Sequence, residues 1–207
     1  MVAPIWLQAL LCLEDSHFRP MHPIFQPAFR ELADEIGQFD ATSANVHPCG
    51  KSHCWSAQQI VEHLVLSMDG TRSTLQERLT KGRPGRNMRR SRTEWALQLM
   101  ILSAGHMPRG VGASHETTPK ETLPATGVRE LVQQLETAIE LLDATLDESR
   151  HRFGMERVGR HFLLGPLRID QWRRYHVLHL RHHRTQVREL RETLSVEVLH
   201  KPEMARV

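Results

Sequence analysis

The sequence predicts an all-α protein, an up-down four-helix bundle with an extra short helix and long connecting loops. Three observations lead there. Apolar residues recur at helical spacing in four long segments, no convincing period-two strand interrupts them, and no internal repeat appears. The chain's 207 residues, 40% hydrophobic and 25% charged, are enough for one core or at most two small ones.

Residues 1–20 read as an N-terminal extension, poorly ordered or loosely docked, with Met21 as an alternative natural start. Their apolar run from Ala3 to Leu13 contains Gln8 and is too short to span a membrane, and it lacks the basic lead and the cleavage pattern of a secretory signal. A single helical domain is expected over 21–195, followed by a tail over 196–207. Its first helix, about 23–38, places Phe25, Phe29, Leu32 and Ile36 on one stripe, with Glu31, Asp34 and Glu35 off it. Asp40 to His53 is polar and reads as a loop. Ser56 and Gln59 then form a capping box, and Ile60, Val61, Leu64, Met68, Leu75 and Leu79 carry a second helix that Gly82 closes.

A short segment from Thr93 to Ser103 is apolar on nearly every side, so it is expected to be the most buried helix. Gly105 to Gly127 has little periodicity and several glycines and prolines; a loop of that length is a candidate pocket wall. Val128 to Arg150 keeps a helical stripe from Val128 through Leu146. After the break HRFGMERVGRHFLLGPL, the last helix is expected from about Ile169 to Leu194.

Charge narrows the function classes. There are 27 Lys and Arg against 24 Asp and Glu, but six of the basic residues fall in Lys81–Arg92, leaving a mildly acidic body. This argues against nucleic-acid binding and for a solvated basic linker. The three cysteines, Cys12, Cys49 and Cys54, are too few and too uneven for a disulfide scaffold, which points to a reducing cytoplasm.

The unusual count is 14 histidines. On the last helix, Trp172, His176, His179, His183, Gln186 and Leu190 share one face, while Arg174, Arg181, Arg184 and Arg188 lie opposite, so the histidine face is the inward one. His179 and His183 stand one turn apart, a spacing at which two imidazoles reach one metal ion. His63 on the second helix lies at the edge of its apolar stripe and offers a third nitrogen, whereas Glu62 points away. Small residues at Ser67 and Gly70 leave room beside it. Spacing alone leaves two readings open, a metal site or hydrogen-bonded core histidines. His176 reads as a packed polar neighbour or a partner of a ligand rather than a fourth ligand.

The segments CWSAQQIVEHL and HFLLGPLRIDQW leading into HLRHHRTQV resemble the DinB-like (YfiT-like) superfamily of small metal-binding four-helix-bundle proteins, over roughly residues 22–194. The resemblance implies that His63, His179 and His183 bind a divalent metal. Arg168 departs from it, standing where many relatives carry a Ser or Thr cap. Characterised relatives imply a thiol-dependent S-transferase or isomerase that employs a low-molecular-weight thiol; a divalent-metal-dependent hydrolase is the other enzymatic reading, and a non-catalytic metal- or ligand-binding stress-response protein is the alternative. Three neutral nitrogens suit zinc, nickel or iron, and copper as well.

The expected partner is a small-molecule substrate, with an exposed helix face available for a homodimer. No side chain is assigned as general acid or base. Gln186 and Gln59 are placed to orient ligands, Trp172 to wall the pocket and His161 to approach its open side, with packing or capping as the plainer role of each. Three further patterns are set aside. His47, Cys49, His53 and Cys54 are too crowded for a zinc knuckle. Glu14 with His17 and Glu148 with His151 are poorly placed for a di-iron site, and Gly110-Val111-Gly112 lacks the strand a dinucleotide fingerprint needs.

Overall fold

The computed structural model describes residues 21–48, 54–86, 88–108, 110–121 and 123–199. The expected extension over 1–20, Cys12, Cys49, His53 and the end of the tail, 200–207, lie outside the described residues. The protein is mostly helical, with one small two-stranded sheet. Its helices are α1 (Gln26–Ile36), α2 (Ala57–Lys81), a short α3 (Arg92–Gln98) that runs on as a π turn over Leu99–Ser103, α4 (Val128–Phe153) and α5 (Ile169–Leu199).

The core forms where the apolar stripes meet. Phe25, Leu32 and Ile36 of the first segment, Leu64, Met68 and Leu75 of α2, and Leu135, Ile139, Leu142 and Leu146 of α4 are buried together with Leu180 and Val187 of α5. Helix α2 packs along α4, α1 packs along α5, and α5 also meets α2 and α4. Each such side chain contributes about 1.5–3 kcal/mol by leaving water. Arg173 of α5 clamps α4 from the side, donating to Asp143 at 2.8 Å and Asp147 at 2.7 Å; Asp143 also accepts the backbone N–H of His22 at 2.8 Å.

The helix starts follow local chemistry. At α2 the Ser56 hydroxyl accepts the Gln59 N–H while the Gln59 side chain accepts the Ser56 N–H, and Gly82 ends the helix in the left-handed conformation. At α5 the Gln171 side chain accepts the Arg168 N–H at 3.0 Å, supplying one half of a capping box although residue 168 has no hydroxyl. Helix α5 continues to Leu199, so the tail expected from 196 begins as helix.

Two expectations are corrected. The break before α5 is a β-hairpin, β1 (Arg157–His161) paired antiparallel with β2 (Gly165–Arg168). A bulge between Arg157 and Arg160 breaks its regular register, and the strands are too short for alternation to register as a pattern. Gly159 sits in that bulge at φ +71°, where an added Cβ would come within 2.7 Å of Thr74 on α2.

The segment 93–103 is also not the most buried helix. Trp95 and Leu99 are 52% and 51% exposed; Gln98, Ile101 and Leu102 are buried, and Leu97 and Met100 are partly buried against the core. Gln98 explains the orientation, because its amide donates to the carbonyls of Leu164 at 2.7 Å and Pro166 at 3.2 Å and so fastens α3 to the hairpin. No described helix is long and apolar enough to cross a membrane.

Candidate functional site

His179 and His183 face the interior from α5, and His63 faces them from α2; all three are buried. Their Nε2 atoms converge: His179 Nε2 lies 3.2 Å from that of His63 and 2.9 Å from that of His183. No other described set of three or more His, Cys, Asp or Glu side chains comes together in this way.

The outer nitrogens set the tautomers. His63 Nδ1 is 2.7 Å from the Thr117 carbonyl, which only accepts, so Nδ1 carries the proton. His183 Nδ1 is 2.7 Å from Gln186 Oε1, while the Gln186 amide nitrogen is turned to His182 Nε2 at 3.1 Å, so His183 also holds its proton on Nδ1. Both rings therefore aim Nε2 lone pairs at His179. A single N–H on His179 Nε2 satisfies one of them and leaves the other facing it.

Burial pushes His179 and His183 well below the ordinary histidine range, and repulsion between neighbouring imidazoles adds to the effect. Burial lowers His63 too, against the opposing hydrogen bond to Thr117. Three neutral imidazoles facing one another are a donor set that could hold a divalent cation. Ligands about 2.1 Å from one ion stand about 3.0–3.4 Å apart for angles between square and tetrahedral; the two separations at His179 are 3.2 and 2.9 Å, and all three ligand atoms lie within 4.8 Å of one another.

The cluster forms one wall of a cavity of about 800 Å³. Trp55 packs its ring 4.8 Å from that of His63, and Tyr175 stacks 5.3 Å from that of His179. Burial pushes the Tyr175 hydroxyl up to about 12 against the opposing hydrogen bond to Ser67, so it remains a neutral phenol. The loop between α3 and α4 also lines the cavity and is tied to α2 by polar side chains. Gln58 donates to the Pro124 carbonyl at 2.7 Å, Gln59 to the Lys120 carbonyl at 2.9 Å, and Glu62 accepts the Lys120 N–H at 3.1 Å.

The residue type and pattern at 63, 179 and 183 mark these three positions in the sequence, and the fold brings them together. Gln186 is placed to orient His183, Trp172 lines the cavity while donating to the Val158 carbonyl at 2.8 Å, and His161 lines it as well. Gln59 holds the loop rather than a ligand, and Glu62 does the same. His176 stays outside the cluster, bonded to Thr71 Oγ1 at 3.0 Å. His47 bonds the Cys54 carbonyl at 2.9 Å, and Glu148 and His151 are exposed at the end of α4. Thr117, Trp55 and Tyr175 are not singled out by the sequence: a backbone carbonyl in a loop has no residue-type signature, and two aromatics far apart in the chain form no common pattern.

A family model described as a protein of unknown function, DUF1569, matches residues 28–190. The chain belongs to the DUF1569 family. The matched span starts in α1, ends in α5 and contains all three clustered histidines of this DUF1569 member. No curated protein and no solved structure matches the chain.

Proposed function

We propose that this DUF1569 protein is a divalent-metal-dependent enzyme acting on a small molecule in the cavity between α2, α5 and the loop over 105–127, with His63, His179 and His183 as the metal ligands. The reading goes with an up-down four-helix arrangement of α1, α2, α4 and α5, with the DinB-like resemblance and with a cytoplasmic setting. The observation that carries it is the convergence of three Nε2 atoms beside an open cavity, with two of the three outer nitrogens already anchored. Three protein ligands leave room for a fourth.

A divalent zinc, nickel or iron ion held there supplies Lewis acidity, which favours the deprotonated form of a bound thiol or water near neutral pH. The chain's own groups do the rest. Thr117 and Gln186 keep His63 and His183 in the tautomer that presents a lone pair inward. Trp55 and Tyr175 cover the cluster with rings and reduce its contact with bulk water. The Tyr175 hydroxyl, held neutral, offers a donor and does not remove protons. Among the reactions such a site supports, transfer of a low-molecular-weight thiol to an electrophile fits the resemblance best, with hydrolysis as the alternative chemistry.

The test has two parts. Elemental analysis of untagged protein is expected to find about one equivalent of divalent metal, lost in His179→Ala. Turnover with a panel of small thiols and electrophiles is expected to vanish on chelation and return with the metal. Protein that neither carries nor takes up metal would sink the reading; protein that takes up metal but turns nothing over would reduce it to metal binding.

A further inference from the structure

At the far side of Tyr175 from the histidine cluster lies a fourth imidazole with a different character. His161 ends β1, and its ring stands 4.5 Å from that of Tyr175, which in turn stacks on His179. Its Nδ1 accepts two backbone N–H groups at once, those of Leu163 and Leu164, each at 3.1 Å. A nitrogen that accepts from two amides holds a lone pair, so the proton of the neutral ring is on Nε2. The same two amides oppose an imidazolium, because a proton on Nδ1 would meet two donors head on. Burial acts in the same direction and lowers this histidine to about 4. Nε2 makes no hydrogen bond within the described residues, and the side chain lines the cavity.

We propose that His161 is a fixed, neutral Nε2–H donor that binds an acceptor oxygen of the ligand, a carbonyl or amide oxygen, at the end of the cavity remote from the three clustered histidines. A ring locked in this form has no lone pair to offer the cavity, so it is a donor and not a base. Neutral imidazole is the suitable donor for an uncharged carbonyl, since it polarises the oxygen without bringing a buried charge that needs a counter-ion. The hairpin is built to hold it: the bulge at Gly159 brings β1 against α2, and the tight turn after His161 supplies the two amides. The substrate class follows as a molecule with a metal-directed group at one end and a carbonyl-type oxygen a few bonds away. This substrate assignment rests on the metal reading above; the donor itself does not.

Two measurements test it. Long-range nitrogen–proton NMR of histidine-labelled protein, without metal, is expected to show His161 as the Nε2–H tautomer from pH 8 down to pH 5. With cobalt-loaded protein, 3-mercaptopropionamide and butanethiol serve as probes, thiolate binding being read from the charge-transfer band. His161→Asn keeps an acceptor close to the position of Nδ1 and loses the donor. It is expected to weaken the amide-bearing thiol about tenfold and leave the alkyl thiol unchanged. His161→Gln, whose amide nitrogen reaches the position of Nε2, is expected to recover part of the loss.

An Nδ1–H or charged His161 at pH 6, or equal weakening of both thiols, or of neither, overturns the proposal. If the protein takes no cobalt, the metal reading fails by itself. The His161 Nε2–H resonance of native protein then decides the donor: a shift on addition of N-methylacetamide supports it, and no shift overturns it.

Discussion

Thr117 and His63 are joined by a 2.7 Å hydrogen bond between the threonine carbonyl and imidazole Nδ1, so the loop wall of the cavity and the histidine cluster are mechanically one unit. Metal bound at Nε2 would make Nδ1–H a stronger donor and tighten the loop. Zinc is therefore expected to slow amide exchange over residues 113–118 about tenfold, with chelation reversing it. At zinc one hundred times its Kd the whole protein would gain about 2.7 kcal/mol of stability, read as a rise in Tm. Equal exchange with and without zinc would break the link.

His179 stands between the other two rings, so its removal leaves no shared point. His179→Ala is expected to lower zinc affinity at least about a hundredfold. Gln186→Ala, which frees the His183 ring, is expected to cost about 10–100-fold. His176→Asn, outside the cluster, should leave affinity within a few-fold of native. Competition against a chromophoric chelator ranks the three.

Acid should unfold the metal-free protein early. His161 and His176 are pushed down to about 4 and about 3 by burial, against 6.5 in the unfolded chain, and His63, His179 and His183 shift in the same direction. Between those values the unfolded state holds more protons than the native one, so stability is present above pH 6.5 and falls as pH drops toward 4. Each such imidazole contributes a slope on the order of 1.4 kcal/mol per pH unit at most. Urea midpoints of the chelated protein between pH 7 and pH 5 check the sign, and a midpoint that rises on acidification would contradict it.

Two glycines should respond in opposite directions to alanine. Gly159 has φ +71°, and its added Cβ would lie 2.7 Å from Thr74, so Gly159→Ala is expected to cost about 2 kcal/mol. Gly70 lies inside α2 with nothing within 4 Å, so Gly70→Ala is expected to stabilise by about 0.5–1 kcal/mol. Denaturant unfolding of both variants decides.

Arg173 donates to both Asp143 and Asp147, and its side chain is 12% exposed. Arg173→Met would remove the charge that faces the buried Asp143 carboxylate and is expected to cost about 3 kcal/mol. Arg168→Met, whose pair with Asp170 is largely exposed, should cost under about 1 kcal/mol. Thermal melts of the pair give the comparison.

The sequence by itself determined the helices and their inward faces. Apolar spacing located α1, α2, α4 and α5, and the Ser56–Gln59 box set the start of α2, because these signals lie within one or two turns of chain. It also marked His63, His179 and His183, since a histidine on an apolar helical face is visible as a pattern. Tertiary structure decided what depends on residues far apart in sequence. The hairpin before α5 exists because a bulged strand and its partner lie against α2 and α3, and the exposure of Trp95 follows from Gln98 bonding carbonyls more than 60 positions away. The tautomers of His63 and His183, and the lock on His161, depend on which carbonyl, amide or backbone N–H each outer nitrogen meets. Hydrogen-bond partners are chosen by three-dimensional proximity, and periodicity along a chain carries no record of them.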